Sequence, residues 1–466
     1  MPLFIFSIIL LEGFVTVSVQ ILTIRQLIPF VGNSVAVTSL IIGIFLLFLA
    51  YGYRQGGRYK EDFLKILSRN FCIAFPLLGF GLSYPFLDLF FHGARYLIGD
   101  NIFYSLGLYL ILITAPMVYI LGQTVPVTMN LIKTLSHQEH EPLVGAIGGE
   151  VLHLSTLGSF LGAVLTALVL MNFFGVASTV FINCILLYLI VLMISLVGRF
   201  GIIRIFLLAI LSVIIYKFNV SYENLKFIKT NSYANYAVTE HNGSDQKTKG
   251  HVFEVNAAHS SYLDQNKKAF PYIETVKKIL FDDLKLRNKE ILVVGSGGFS
   301  ITAERTHQNH FTYVDIDKDM PHVVKGSFLD AIQGDFIAQE ARAFFLTQDK
   351  RYDAIFSDVY NNMYEIPVHL LTQEYFQQIK KALVPGGYAL FNIVSQATLQ
   401  TKYAKRIDNT IRSVFPYCMG IPMQYTNQIT NLIYACKNIE TVDHTIYTDD
   451  KNQAQIDLVR KALPRS

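Results

Sequence analysis

The amino-acid sequence predicts an α-helical membrane bundle of about seven spans, followed by an α/β, Rossmann-like domain with a small N-terminal β-hairpin unit. Three observations predict it. Residues 1–218 are almost continuous apolar runs, whereas 219–466 have ordinary soluble composition. Beyond about residue 290, β-rich apolar strands alternate with helical patterns. The stretch ILVVGSGGFS (291–300) runs one such strand into a glycine-rich turn.

Composition sets limits. The chain has 466 residues, 52% hydrophobic and 16% charged, where soluble proteins carry about 25% charged residues. Mean hydropathy is +0.37. The net charge of +4 is modest and argues no nucleic-acid role. Cys72, Cys184, Cys418 and Cys436 are scattered without a CxxC. They read as small buried hydrophobes, not as a disulfide framework or zinc site. No metal-ligand cluster is visible, so no metal is expected. The composition shift divides the chain into a membrane domain (1–220), a small β subdomain with a linking helix (221–290), and a nucleoside-binding catalytic domain (291–466).

The expected spans are 3–22, 35–53, 71–91, 102–121, 144–171, 177–198 and 201–217. Each is long enough, or nearly so, for a hydrocarbon core of about 30 Å. The first is read as a span and not a signal peptide, because it lacks a basic leader and more spans follow. Membrane lipid is the implied partner, and a multi-pass inner-membrane location the implied address. The basic loop RQGGRYKEDFLKILSRN (54–70) belongs inside by the charge rule. With seven spans, that puts the soluble half outside; cofactor supply argues instead for the cytoplasmic face, the placement adopted as the expectation. Glu12, Gln20, Glu150 and His153 are polar groups within spans, either functional or paired between helices. The small residues of STLGSFLGAVLTA (155–167) predict close helix approach, and GQTVP (122–126) a helix break.

In the soluble half, SYANYAVTEHN and GHVFEVNAAHSSYL read as strands of a hairpin unit, and 271–286 as a helix. KEILVVG, a helix from about 300, FTYVDID, YDAIFSDV, TQEYFQQIKKALV and GGYALFNIV then alternate as in a parallel, doubly wound sheet. Gly295, Gly297 and Gly298 let a ligand approach the backbone after the first strand. Asp315 closes the next strand, twenty positions after Gly295, where a carboxylate can accept from both ribose hydroxyls. Together they suit an adenosine-containing cofactor. A P-loop is excluded, since no GK[ST] follows. Asp358, at the end of YDAIFSD, can hold an amine and accept its proton, with Tyr360 as an aromatic wall; alternatively it caps a turn.

The run YDAIFSDVYNNMYEIPVHLLTQEYFQQIKKALVPGGYALFNI (352–393), with ILVVGSGG, YVDID and QEARAFF in register, resembles the spermidine synthase family of polyamine aminopropyltransferases. More narrowly, the chain is similar to membrane-fused members of it. The resemblance spans about 231–436 and implies a methyltransferase-type Rossmann fold. It implies decarboxylated S-adenosylmethionine as donor and a small amine such as putrescine as acceptor. Asp315 would hold the ribose, Glu340 would sit near the adenine, and Asp358 would activate the amine. Tyr272 and Glu274 of PYIE match part of the family's Tyr-His-Glu element, Ile273 replacing the His. His259 falls roughly where the family has a cofactor-contacting Gln, or is an exposed strand residue. A homodimer is left open.

Two departures weaken the amine chemistry. Gly298 stands where the family has an Asp that grips the donor's aminopropyl amine, and Asn361 and Asn362 replace a second acid. Each lost charge-assisted hydrogen bond is worth about 1.5–3 kcal/mol. Intact S-adenosylmethionine with a methyl-transfer reaction is therefore the alternative. A transporter or sensor that binds a nucleoside or polyamine without turnover is a third reading.

Overall fold

The computed structural model describes residues 3–99, 101–136, 144–198, 201–242, 249–360, 366–439 and 454. Among the described residues, seven helices are long and apolar enough to cross a membrane: Phe4–Val31, Val35–Gly56, Phe63–Gly81, Ile102–Leu135, Gly145–Phe174, Val176–Gly198 and Ile202–Lys226. The expected span 71–91 is corrected, because the chain breaks at Ser83. Pro85 opens a separate helix, Tyr84–Ile98, since proline fits a first turn but cannot donate to a preceding one. The break expected at GQTVP lies at Gln123, whose buried side chain accepts from Asn70 at 2.9 Å.

The first and fifth spans pack in parallel, their backbones closest at the glycines. A Cβ on Gly158 would lie 2.1 Å from the Leu10 carbonyl oxygen, and one on Gly162 2.3 Å from that of Phe14. Glu12 is buried in the bundle and accepts the Thr16 hydroxyl at 2.6 Å. Glu150 and His153 are exposed on the fifth span. Leu168, Phe206 and Val213 stand 65%, 67% and 62% exposed on the outside of the bundle.

The spans alternate in direction, so the two ends of the bundle differ. Arg54, Arg58, Lys60, Lys65, Arg69, Lys133 and Arg204 belong to one end, tied by Asn130 to the Tyr59 carbonyl and by Arg204 to Ser68. The soluble half meets the other. There, Val176 N–H donates to Thr230, Ala177 N–H donates to Glu223, and Tyr84 packs edge-on against Phe227.

The soluble half holds two sheets. Strands β1 (Lys229–Thr230), β2 (Asn235–Asn242), β3 (Lys249–Val255) and β4 (Ala258–Asp264) form an antiparallel sheet in that order. Strands β5 (Glu290–Val294), β6 (His310–Asp315), β7 (Asp335–Ala338), β8 (Tyr352–Ser357), β9 (Leu383–Gln396), β10 (Cys418–Pro422) and β11 (Ile429–Lys437) form the second, ordered β10-β11-β9-β8-β5-β6-β7. Its five strands from β9 to β7 are parallel, and β11 is antiparallel to β9. Strand order reverses at β5, so β5 and β8 flank the crevice where such sheets bind ligands. Apolar residues on both faces of β5 and β8 are buried, which explains why these strands read as unbroken hydrophobic runs.

Two expectations fail here. Cys418 and Cys436 are disulfide-bonded, because antiparallel pairing places them opposite one another, Cα atoms 4.1 Å apart. Their 18-residue separation carries no such information by itself. Cys72 and Cys184 are free. The helix expected from about 300 is a single 3-10 turn, Ser300–Thr302. Phe299, His307 and Gln308 take positive φ, and SITAERTHQNH has no helical apolar repeat to outweigh that strain.

Candidate active site

The glycine turn is built around backbone proximity. Gly295 has φ +88°, and a Cβ there would stand 2.2 Å from the Asp358 carbonyl oxygen. Glycine is therefore required where β5 and β8 converge. Ser296, which sequence reasoning passed over, donates its N–H and its hydroxyl to Asp315 Oδ2 at 2.9 and 2.8 Å. Asp317 N–H donates to Asp315 Oδ1 at 3.1 Å. The carboxylate is thus fixed at the carboxyl end of β6 with lone pairs to spare. Burial pushes the Asp315 carboxyl up against these donors.

Asp358 follows β8 across the crevice. Its Oδ2 accepts the Tyr272 hydroxyl at 3.1 Å and its Oδ1 the Asn392 amide at 2.8 Å. Asn392, buried on β9, has its own amide oxygen occupied by Asn431, so its NH2 group is the end aimed at Asp358. A polar Asn inside ALFNIV was the sequence signal that could have found it. Burial pushes the Asp358 carboxyl up to about 6, against the two donors that favour its charged form. Burial and the neighbouring Asp358 raise Tyr272 well above the usual phenol range, keeping it a donor. Ser261, Tyr272, Gly295, Ser296, Gly297 and Asp358 line one crevice. A larger cavity of about 370 Å³, among Phe48, Tyr51, Arg54 and Tyr119, lies in the membrane half, remote from this chemistry.

The other expected residues have partners of their own. Glu340 follows β7 and caps the next helix, accepting Ala343 N–H at 2.8 Å, with His369 3.2 Å away. Burial acts to raise its carboxyl, but the backbone donors and His369 outweigh it and hold Glu340 below the usual range. The Tyr360 hydroxyl accepts Val394 N–H at 2.7 Å and donates to the Asn392 carbonyl at 3.1 Å, fixing the ring beside β9. Glu274 turns to the start of its own helix, accepting Ala269 N–H and pairing with Lys277 at 2.8 Å. His259 is directed elsewhere by a β-bulge. The β3–β4 register shifts between Phe253 and Glu254, so Ser261 opposes Phe253 while His259 opposes Glu254 on the other face. There it stands 3.7 Å from Glu254 and beside the His241 ring. Ser261 is the residue that reaches the turn, accepting Gly298 N–H at 2.8 Å. A Cβ on Gly298 would lie 2.5 Å from the Phe328 ring, so that ring fills the space an acidic side chain would need. Asn361 and Asn362 lie outside the described residues.

Residues 269–444 match the family description "Spermine/spermidine synthase domain". A polyamine aminopropyltransferase of Vibrio vulnificus is 30% identical over 173 residues, 34% of this chain and 54% of the relative. A spermine synthase of Saccharomyces cerevisiae is 28% identical over 171 residues, 32% of this chain and 56% of the relative. The chain thus spans about half the length of these curated relatives. Among solved structures, a probable spermidine synthase from Corynebacterium glutamicum is similar over 50% of this chain and 85% of its own, at 19% identity and a TM-score of 0.38. Human methyltransferase-like protein 13, solved with SAH, covers 41% of this chain and 88% of its own at 19% identity, TM-score 0.29. Residues 269–444 are thus similar to spermidine and spermine synthases.

Proposed function

We propose that the soluble half transfers an aminopropyl group from decarboxylated S-adenosylmethionine to a diamine such as putrescine, with the long apolar helices as its membrane anchor. The observation that carries this reading is Asp358, held by Tyr272 and Asn392 in one crevice with the Gly295 turn, whose Ser296 also binds Asp315. The acceptor amine attacks the carbon beside the sulfonium. A C–N bond forms, the C–S bond breaks, methylthioadenosine leaves, and the amine proton passes to Asp358. A positioned base of this kind contributes about 10²–10⁴-fold. Asp315 would accept from the ribose hydroxyls, and Glu340, at the neighbouring strand end, from the adenine amine. The names of the matched aminopropyltransferase and spermine synthase support the reaction class.

A second reading, an adenosyl thioether or sulfonium bound without aminopropyl transfer, is favoured by Gly298, where Phe328 leaves no room for an amine-gripping carboxylate. The charge asymmetry of the bundle and the Cys418–Cys436 disulfide support a soluble half facing away from the cytoplasm. There the cytosolic donor pool is absent, which also favours binding over turnover.

One assay separates the readings. The full chain in detergent is incubated with decarboxylated or intact S-adenosylmethionine and a panel of diamines. Methylthioadenosine release with the decarboxylated donor supports aminopropyl transfer. S-adenosylhomocysteine from the intact donor points to methyl transfer. Methylthioadenosine binding without either product leaves the binding reading.

A further inference from the structure

We infer that Arg25, on the first membrane-spanning helix, is a positioning residue for the nucleoside pocket, so that the membrane half forms part of the donor site. The inference rests on the nucleoside reading of Asp315.

The helix Phe4–Val31 has 28 residues. At 1.5 Å per residue that is about 42 Å, against a hydrocarbon core of about 30 Å. Its last turns therefore extend past the bilayer core into the soluble half. Arg25, 3% exposed, donates Nε to the Asn231 carbonyl at 2.8 Å and Nη2 to Asn235 Oδ1 at 2.7 Å. Its Nη1 has no hydrogen-bond partner among the described residues. A buried charge needs compensation, and here the polar groups beyond the 231–235 turn are arranged to supply it. Asn231 donates to Asp317 Oδ2 at 2.6 Å and to Asp319 Oδ2 at 3.0 Å, and the Tyr236 hydroxyl also donates to Asp317. Asp319 is itself paired with Lys229 at 2.9 Å. Asp317, 2% exposed, donates its N–H to Asp315 Oδ1.

An unbroken set of hydrogen bonds therefore runs from the membrane helix to the carboxylate expected to hold the ribose. Asp315 and Asp317 are both acids. Asp317 is held by Asn231, the Tyr236 hydroxyl and the Asp319 N–H. Arg25 adds a cation behind the turn and pins the backbone bearing Asn231. Coupling of this kind is reciprocal: a ligand on Asp315 also stabilises the end of the first span.

The test uses the full chain in detergent with methylthioadenosine as the probe. Arg25→Gln should weaken binding tenfold or more, and Arg25→Lys should recover part of the loss, thermal unfolding confirming that each variant is folded. Hydrogen exchange on the unmutated chain needs no variant: saturating probe should slow exchange at 22–31 and 231–236 as well as at 293–317. Protection confined to 293–317, or unchanged affinity in folded Arg25→Gln, overturns the coupling and leaves the nucleoside reading intact. If the unmutated chain binds no probe at all, the nucleoside reading itself falls, and the coupling with it.

Discussion

The Tyr272 hydroxyl donates to Asp358 Oδ2 at 3.1 Å, joining the helix after the small sheet to the end of β8 in the large one. That contact places an acceptor of protons beside a permanent donor. With the Asn392 amide it also opposes the burial that raises the Asp358 carboxyl.

Because burial raises Asp358 to about 6, turnover that uses it as a base should rise with pH, with an apparent midpoint near 6. Asp358→Asn should lower turnover by about 10²–10⁴-fold and leave methylthioadenosine affinity nearly unchanged. Stability changes in the other direction. A carboxyl raised above its unfolded value of 3.8 favours the fold fully below that pH, and the contribution is lost as pH rises through about 6. At pH 8 the Asn variant should therefore be more stable in denaturant titrations. The gain is at most about 3 kcal/mol, because Asp358 keeps partial contact with screening solvent.

Tyr272→Phe removes a donor that favours the charged form of Asp358. The acid limb of the pH–rate profile should shift upward. An unshifted limb would mean that the titrating group is not Asp358.

Asp315→Ala should weaken methylthioadenosine binding by about 1.5–3 kcal/mol, measured by calorimetry on the full chain. The variant also frees the Ser296 N–H and hydroxyl, so a Asp315→Asn control separates lost charge from a loosened turn. An Ala variant that binds as tightly as the unmutated chain removes Asp315 from the ribose.

Cys436→Ala breaks a crosslink that closes an 18-residue separation. Loops of that size are stabilised by about 3 kcal/mol, so the unfolding midpoint should fall, provided the chain was isolated oxidised. In intact cells, an impermeant thiol reagent applied after mild external reduction should label Cys418 if the soluble half faces outward. Labelling only after lysis would place it in the cytoplasm.

Local pattern determined a good deal of this protein. The switch in composition near 218–222 announced the long apolar helices before it, because such helices are recognised by length and apolarity alone. The runs ending in Gly295, Asp315 and Asp358 were legible as strand ends, because a buried parallel strand leaves an unbroken apolar signature before the residue that faces the ligand. Pairing and facing were decided only by tertiary structure. Whether Cys418 meets Cys436 depends on strand register, and a one-residue bulge sends His259 away while bringing Ser261 to the turn. Phe328 covering Gly298 and Arg25 reaching Asn231 join residues 30 and 206 positions apart. No periodicity carries such contacts, because they are fixed by how whole elements pack, after the local choices have been made.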